Sequence, residues 1–293
     1  MNYNTFTKAR ISYLDFLKNG GIEPQVDMGK FRPRENNLLP RSSQLGLCSL
    51  AAANEMHNVR PSHPQLLTSN NYNLLHLFRS GNQAAREWTA TMTWYAQQQG
   101  WQVQVEVPCD DEFTTGTIDM ILTTPEAIIV IDWKRTDQTA LKERTTGKLH
   151  GWQNFLQLAD YLRKMQTLYP QRRVVGALVR DYRSFWRVFW MERTAWPGWT
   201  ISLDGIEVLD TISEEDIHRV RVDAQVYIYR FLTTPYYDHP LESWQCAAKV
   251  KGDTYKPRCP YFGNCWKIQD EFTVTHGSVY SDEGVEYVIK APS

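Results

Sequence analysis

A short stretch of the chain, GTIDMILTTPEAIIVIDWK, brings two carboxylates and an ammonium group close together in sequence. Its first half predicts a β-strand that carries Asp119. After a proline-containing turn, its apolar second half predicts a strand that ends in Asp132, Trp133 and Lys134. Side chains alternate between the faces of a strand, so Asp132 and Lys134 point the same way and Trp133 points to the other face. If the two strands pair as a hairpin, Asp119 lies beside Asp132.

Two neighbouring carboxylates repel each other unless a cation lies between them. Carboxylate oxygens are the ligands that Mg²⁺ and Mn²⁺ prefer, so Asp119 and Asp132 are candidate ligands of a divalent metal. Lys134, on the same face, could orient an attacking water or stabilise charge that develops on a phosphate. The alternative interpretation is a strand end capped by a surface salt bridge without a catalytic role.

The composition of the chain fits a cytoplasmic α/β protein. It has 293 residues, of which 42% are hydrophobic and 22% charged, and a net charge of −1. The chain can therefore bury a sizeable core, and any DNA binding must depend on a local basic groove. We see no apolar run of membrane-spanning length and no signal-peptide pattern at the N-terminus. In the cytoplasm its five cysteines are not expected to form disulfides.

We expect a single domain over residues 1–293. Its parts are a helical N-terminal part at 41–100, a catalytic sheet core at 101–192, and a C-terminal helix and cysteine segment at 193–293. Besides the hairpin, the patterns predict strands at 102–107, 173–179 and 185–191, and helices at 74–99 (with a break at Ser80–Gly81), 152–165 and 214–232. The basic stretch at 135–148 is either a solvated loop or an element that grips a nucleic-acid strand.

The spacing of the acidic residues resembles a known family of nucleases. Gly116-x-x-Asp119, followed after twelve residues by Asp132-Trp133-Lys134, is similar to the paired motifs of the PD-(D/E)XK superfamily, and most to its RecB-type branch. The resemblance implies a restriction-endonuclease-like core, in which a central mixed β-sheet is flanked by helices. It also implies a metal held by the two aspartates and the main-chain carbonyl of Trp133, with Lys134 as the catalytic lysine.

Two predicted helices carry further motifs of that branch. Gln157 and Tyr161 match a Q-x-x-x-Y motif, in which the pair helps to position the nucleic acid near the cut. Gly81 and Glu87 roughly follow a G-x-x-x-H-E motif, although this chain lacks the histidine. By resemblance Glu87 is a further candidate metal ligand; otherwise it is a solvated helix residue.

The cysteines resemble those of the iron–sulfur nucleases of the same superfamily, the Cas4-like proteins among them. In those proteins one N-terminal and three C-terminal cysteines bind a [4Fe–4S] cluster that ties the chain ends across the core. Here the corresponding residues are Cys48, Cys246, Cys259 and Cys265. Twelve residues separate Cys246 from Cys259, whereas the common form has two. A Zn²⁺ site is the competing interpretation, and unrelated buried cysteines are the third.

Together the motifs predict a metal-dependent DNA nuclease, more an exonuclease than an endonuclease, that acts on single strands or free DNA ends. By analogy, such nucleases occur in phages and in CRISPR and recombination systems, so DNA, a second copy or a protein of such a system are the expected partners. Two alternatives remain. The chain could be a nucleic-acid-binding module without catalysis, or a structural subunit of a larger nuclease complex.

Overall fold

The structure, a computed structural model, describes residues 3–25, 39–45, 48–57, 59–66, 72–136, 144–145, 148–149, 151–182, 185–193, 197–230, 247–251, 254–257, 259–266, 272–275, 278–281 and 286–288. For some of these only the backbone is described, at 3–4, 49–50, 72–79, 144–145, 148, 227–230, 247–251, 254–255, 265–266 and all positions from 272 onward. The chain forms two compact units. The first comprises Met1–Gly46 and Leu77–Asp223, and the second comprises Leu47–His76 and Ala224–Ser293.

The described helices and strands follow one another along the chain as follows. The helices are α1 (Tyr3–Lys18), α2 (Ser49–Met56), α3 (Tyr72–Gln98), α4 (Trp152–Leu168), α5 (Glu214–Arg230) and α6 (Phe262–Trp266), with short 3₁₀ turns at Ser42–Gln44 and Pro64–Leu66. The strands are β1 (Gln102–Pro108), β2 (Thr117–Thr123), β3 (Ala127–Arg135), β4 (Arg144–Thr145), β5 (Lys148–Leu149), β6 (Arg173–Asp181), β7 (Trp186–Arg193), β8 (Gly198–Leu203), β9 (Glu207–Ser213), β10 (Ala247–Lys251), β11 (Thr254–Pro257), β12 (Phe272–Thr275), β13 (Ser278–Ser281) and β14 (Glu286–Val288).

A mixed sheet of seven strands forms the centre of the first unit. Its order is β1-β2-β3-β6-β7-β8-β9, with β3 and β6 parallel and the other neighbours antiparallel. The connection between the two parallel strands carries α4, which packs against both of them. The run Ala127–Trp133 is buried throughout, as expected for a strand covered on both faces. The expectation of an α/β fold with a mixed sheet and flanking helices is confirmed.

Alternation along the strands assigns the two faces of this sheet to different helices. Ile129, Ile131 and Trp133 pack on one face against residues of α1 and α3, and the ring of Trp88 stacks on that of Trp133 at 5.8 Å. The intervening side chains face α4. At Gly176 of β6, an added Cβ would lie 2.9 Å from a methyl of α4, so helix and strand approach closely there. The face opposite Trp133 is thus covered by α4.

Several sequence predictions differ from the structure. The break at Ser80–Gly81 is wrong, because α3 runs unbroken from Tyr72 to Gln98. A Cβ added at Gly81 would meet the Cβ of Arg135 at 3.5 Å, an ordinary contact distance, so α3 passes beside the end of β3. Helix α1 and strands β8 and β9 were not predicted. Most of the basic stretch at 135–148 lies outside the described residues.

The second unit contains a further sheet that the sequence did not predict. It has five antiparallel strands in the order β10-β11-β12-β13-β14. These strands are only three to five residues long and lie in a region that we expected to hold a helix and a cysteine segment. In the described part of the chain, no helix is long and apolar enough to cross a membrane.

Candidate active site

The register between β2 and β3 brings the two aspartates together. Met120 lies opposite Ile131, and the strands are antiparallel, so continuing the register by one residue places Asp119 beside Asp132. Ile131 and Trp133 belong to the core on the α3 face, so Asp132 projects from the α4 face. The predicted hairpin and the predicted separation of faces are therefore confirmed.

Asp132 forms a close ion pair with the lysine two residues further along β3. The Lys134 Nζ donates to Asp132 Oδ1 at 3.0 Å and lies 2.9 Å from Oδ2. The Asp132 side chain is fully buried, whereas 27% of the Lys134 side chain remains exposed. The carboxylate is thus enclosed, and part of the lysine side chain that pairs with it stays accessible.

Asp119 is held against the backbone of β3. Its Oδ2 accepts a hydrogen bond of 2.7 Å from the amide of Trp133. Burial and the neighbouring Asp132 raise the pKa of Asp119 to about 7, although Lys134 and the Trp133 amide oppose this effect. Burial likewise raises the pKa of Asp132, against the lowering effect of Lys134. The pair therefore carries uncompensated repulsion, which a bound cation would relieve.

Lys134 remains charged at neutral pH. Burial disfavours the ammonium form, but the carboxylates of Asp132 and Asp119 outweigh burial and raise the pKa of Lys134. A lysine in this state donates hydrogen bonds and stabilises negative charge, but does not accept a proton.

Gln157 and Tyr161 connect α4 to the start of β2. Both are buried, with 6% and 2% exposure. The Tyr161 hydroxyl donates to the carbonyl of Thr117 at 2.9 Å and accepts a hydrogen bond of 3.0 Å from Gln157 Nε2. The pair thus fixes the first residue of β2 to α4, two positions before Asp119. That the pair helps to position a nucleic acid stays a prediction, and these contacts would let it act through the placement of β2.

Packing against Tyr161 explains the glycine of the G-x-x-D motif. A Cβ on Gly116 would lie 2.6 Å from Tyr161 Cε1, 3.0 Å from its hydroxyl and 2.9 Å from Ser42 Oγ. No side chain fits this position while the ring of Tyr161 stays in place. Gly116 therefore allows α4 to approach the start of β2.

Glu87 does not join the two aspartates. It pairs with Arg10 of α1 at 3.3 Å and accepts a hydrogen bond of 3.4 Å from Gln83 of its own helix, with 48% of its side chain exposed. Helix α3 packs on the Trp133 face, away from the α4 face on which Asp132 lies. Among the described residues, no three His, Cys, Asp or Glu side chains lie close enough to hold one metal ion together. The predicted three-acid set with Glu87 is thus not assembled.

Two charged residues near the aspartates were missed by the sequence analysis. Glu106 of β1 stands between Val105 and Val107, which pair with β2 on either side of Asp119, and its φ is 51°. Burial raises the pKa of Glu106, and its charge contributes to the raised pKa of Asp119. Arg180 of β6 lies opposite Lys134 in the parallel register. Neither could be found from the sequence, because Glu106 stands in an ordinary strand pattern and Arg180 comes just after the predicted strand at 173–179.

A buried polar network fixes the elements around β2. Asp160 Oδ2 accepts hydrogen bonds from Ser42 Oγ at 2.6 Å and Thr114 Oγ1 at 2.8 Å, and lies 3.0 Å from Lys164 Nζ. Its Oδ1 lies 3.1 Å from Arg221 Nε of α5. All five side chains are at least 95% buried. This network joins α4, α5, the 3₁₀ turn and the segment before Gly116, and thereby stabilises the position of β2.

Two of the four predicted cluster cysteines are described, and both lie in the second unit. Burial and, to a smaller extent, the neighbouring Cys48 raise the pKa of Cys259 to about 11, although the Tyr261 amide lowers it. Both cysteines are partly buried. Cys246 and the side chain of Cys265 lie outside the described residues. The four-cysteine set thus stays a prediction.

A serine fixes the turn that follows Cys259. Ser62 Oγ accepts a hydrogen bond of 2.8 Å from the amide of Gly263 and donates to the carbonyl of Pro260 at 3.2 Å. The amide of Ser62 donates to Asn264 Oδ1 at 2.9 Å. This segment, distant in sequence, holds the backbone between Cys259 and α6 in one conformation.

The residues of the first unit fit a divalent metal. Asp119 and Asp132 supply two carboxylates on adjacent strands, and the backbone of Trp133 is held against Asp119 by its amide. Mg²⁺ is commonly bound in this way, by one or two carboxylates, with waters and substrate phosphates completing its octahedral shell. The pKa values of both aspartates are raised, so their ionised forms are disfavoured without a cation and would be stabilised by one.

Comparisons with known proteins leave the family open. No family model matches the sequence, and no curated protein matches it. The crystal structure of SSO0001 matches with a TM-score of 0.40 and 15% sequence identity, over 79% of this chain and 94% of that one. A similarity of this size assigns neither a fold family nor an activity.

Proposed function

We propose that the protein is a divalent-metal-dependent nuclease that hydrolyses phosphodiester bonds in DNA. The observation that carries the proposal is the arrangement of Asp119, Asp132 and Lys134. The two aspartates lie side by side on one face of the sheet. Lys134 donates a hydrogen bond to Asp132, and its side chain is partly exposed. Carboxylates beside a permanently charged donor suit the binding of a cation next to an anionic phosphate.

Each residue has a separable task in this proposal. Asp119, Asp132 and the carbonyl of Trp133 would hold the metal. The chemistry that a bound Mg²⁺ or Mn²⁺ supplies is polarisation of a phosphate oxygen and a lowered pKa of its bound water. Lys134 keeps its proton and donates to negative charge that develops on the phosphate. Tyr161 acts only through the backbone of Thr117, which it fixes.

The motif order supports the finer statement that the substrate is DNA and that free ends or single strands are digested. The G-x-x-D, D-W-K and Q-x-x-x-Y motifs resemble RecB-type nucleases in sequence and in order. By the same resemblance we propose a cytoplasmic setting, in the host cell if the gene is carried by a phage. A recombination or CRISPR partner protein, or a second copy of the chain, then accompanies the DNA.

The sequence resemblance supports a metal centre in the second unit, which contains both Cys48 and Cys259. We propose a [4Fe–4S] cluster there, with Cys246 and Cys265 as the remaining ligands. Purification without oxygen, absorption spectroscopy and metal analysis test it. About four irons per chain with a broad absorption near 400 nm are expected. One zinc per chain and no such absorption would replace the cluster by a Zn²⁺ site, and absence of both metals would refute a metal centre.

The nuclease proposal is tested by a cleavage assay with Mn²⁺ or Mg²⁺ on linear and circular DNA, single- and double-stranded. We expect metal-dependent loss of linear DNA, abolished in Asp132→Ala and retained in Asp15→Ala, which removes a surface acid 61% exposed. Cleavage of circles would identify an endonuclease. Failure of the folded wild-type protein to cleave any substrate would refute the hydrolase. DNA binding without cleavage would then favour the binding module, and no binding would favour the structural subunit.

A further inference from the structure

Arg180 is a buried cation immediately beside the candidate site. It occupies the position on β6 that pairs with Lys134 of β3, and in a parallel register paired residues project from the same face. Only 2% of its surface is exposed. A guanidinium so enclosed does not reach a nucleic acid in solution, so a direct phosphate contact does not explain its presence.

The surroundings of Arg180 hold its guanidinium in one place. Its Cζ lies 4.8 Å from the ring centre of Phe155 and 4.9 Å from that of Phe189. Nη2 donates to the carbonyl of Gly151 at 3.3 Å, and the buried hydroxyl of Tyr182 is close enough to influence the charge of Arg180. Two aromatic rings and two polar partners suit the planar guanidinium better than a flexible ammonium.

Gly151 is shaped to accommodate this guanidinium. Its φ is 67°, in the left-handed region, and a Cβ there would lie 2.8 Å from Arg180 Nη2. The residue that precedes α4 therefore lets the helix start directly over Arg180. The start of α4 and the arginine depend on each other.

The charge of Arg180 acts on the candidate site without touching a substrate. After burial and Lys134, Arg180 is a further influence on the pKa of Asp132, which it lowers, and it also lowers the pKa of Lys134. Lys134 alone does not balance the carboxylates of Asp119 and Asp132. Arg180 adds a second, buried positive charge beside the pair.

We propose that Arg180 is a positioning residue that sets the cation affinity of the Asp119–Asp132 pair by a fixed positive charge behind it. The inference rests on the proposed metal-dependent function. A positive charge nearby weakens the binding of a divalent cation, because like charges repel in a medium of low dielectric constant. Its presence keeps the empty site stable and leaves the bound cation partly uncompensated, and therefore able to attract a phosphate.

The test is calorimetric titration of Mn²⁺ into DNA-free protein. In Arg180→Met we expect the dissociation constant for Mn²⁺ to fall by about three- to tenfold, while the rate of DNA cleavage also falls. Arg180→Lys keeps the charge, so its Mn²⁺ affinity stays within about twofold of the wild-type value. Arg173→Met, at the far end of the same strand and 56% exposed, is the matched control and leaves both quantities unchanged.

The combination of tighter metal binding and slower cleavage separates this role from a structural one, because a disturbed site loses both. If Arg180→Met does not fold, Arg180→Gln serves as the neutral variant, with the same expectation. Unchanged or weaker Mn²⁺ binding in a folded neutral variant overturns the inference about Arg180 and leaves the nuclease proposal standing. If the wild-type protein and Asp132→Ala do not differ in Mn²⁺ binding, the proposed metal site falls, and the inference falls with it.

Discussion

Gly116 is the position where a single added carbon should disturb the candidate site most. In Gly116→Ala the new Cβ would lie 2.6 Å from Cε1 of Tyr161, where two carbons normally stay about 3.5–4.0 Å apart. The ring or the strand must therefore move by roughly 1 Å. The ring is 2% exposed, and its hydroxyl is bonded to the carbonyl of Thr117, so either movement strains the core or breaks that hydrogen bond.

The cost follows from these two effects. Overpacking a buried site costs about 1–3 kcal/mol, and the loss of a hydrogen bond at Thr117 adds about 1 kcal/mol. We therefore expect Gly116→Ala to lower the free energy of unfolding by about 2–4 kcal/mol. Urea denaturation followed by circular dichroism measures this quantity. Cleavage by the folded fraction should also decrease, because Asp119 follows Thr117 by two residues on the strand that moves.

Gly81 offers a matched control of opposite sign. It lies inside α3, and an added Cβ would meet only the Cβ of Arg135, at an ordinary contact distance of 3.5 Å. Alanine is favoured over glycine inside a helix by about 0.5–1 kcal/mol, so Gly81→Ala should stabilise the protein by about that amount. If Gly116→Ala unfolds within about 0.5 kcal/mol of the wild type, the packing argument for the motif glycine is refuted.

Two further predictions concern buried charges. Lys164→Met removes the ion pair of 3.0 Å with Asp160 and should lower the free energy of unfolding, measured in urea, by about 3–5 kcal/mol. The control is Lys18→Met, which removes a lysine that is 76% exposed and should change the free energy of unfolding by less than about 0.5 kcal/mol. Equal effects of the two substitutions would contradict a stabilising role of the buried network. The pKa of Asp119 is about 7 in the folded protein, against an ordinary value of 3.8. Without metal, the folded state therefore binds more protons than the unfolded state between about pH 4 and 7. The free energy of unfolding consequently falls as the pH rises through that range. In thermal melts with a chelator, the melting temperature of Asp119→Asn should decrease less with rising pH than that of the wild type. A pH profile identical to that of the wild type would contradict the repulsion between Asp119 and Asp132.

The β2–β3 hairpin could be predicted from sequence because its signals are local. Alternation and β-branched residues define β2 and β3, and the turn between them leaves only an antiparallel pairing. The order β1-β2-β3-β6 and the strands β8 and β9 depend on contacts between distant segments, so periodicity alone does not reveal them. Short strands such as those of the second sheet carry too few residues to show a pattern.

The surroundings of the motif residues at the site could not be predicted from the sequence. A motif gives a residue type and a spacing, but not which face of an element the residue will occupy. Glu87 follows a helical acid motif, yet its helix packs on the Trp133 face, and the acid pairs with Arg10. Gln157 and Tyr161 match their motif, but the motif does not show that both are buried and that the Tyr161 hydroxyl donates to the carbonyl of Thr117. In both cases tertiary packing, which a single sequence does not display, decides the role.

The pairing of the acids is itself a consequence of the apolar residues around them. Met120 and Ile131 share a register and a face, and both are completely buried. A slip of one residue in β2 would move Met120 towards α4 and turn Asp119 into the core beside Trp133, where an ionised carboxylate is strongly disfavoured. The hydrophobic core thus excludes every register except those that place Asp119 on the Asp132 face. The fold thus imposes repulsion between the two carboxylates, and a cation bound between them would relieve that repulsion.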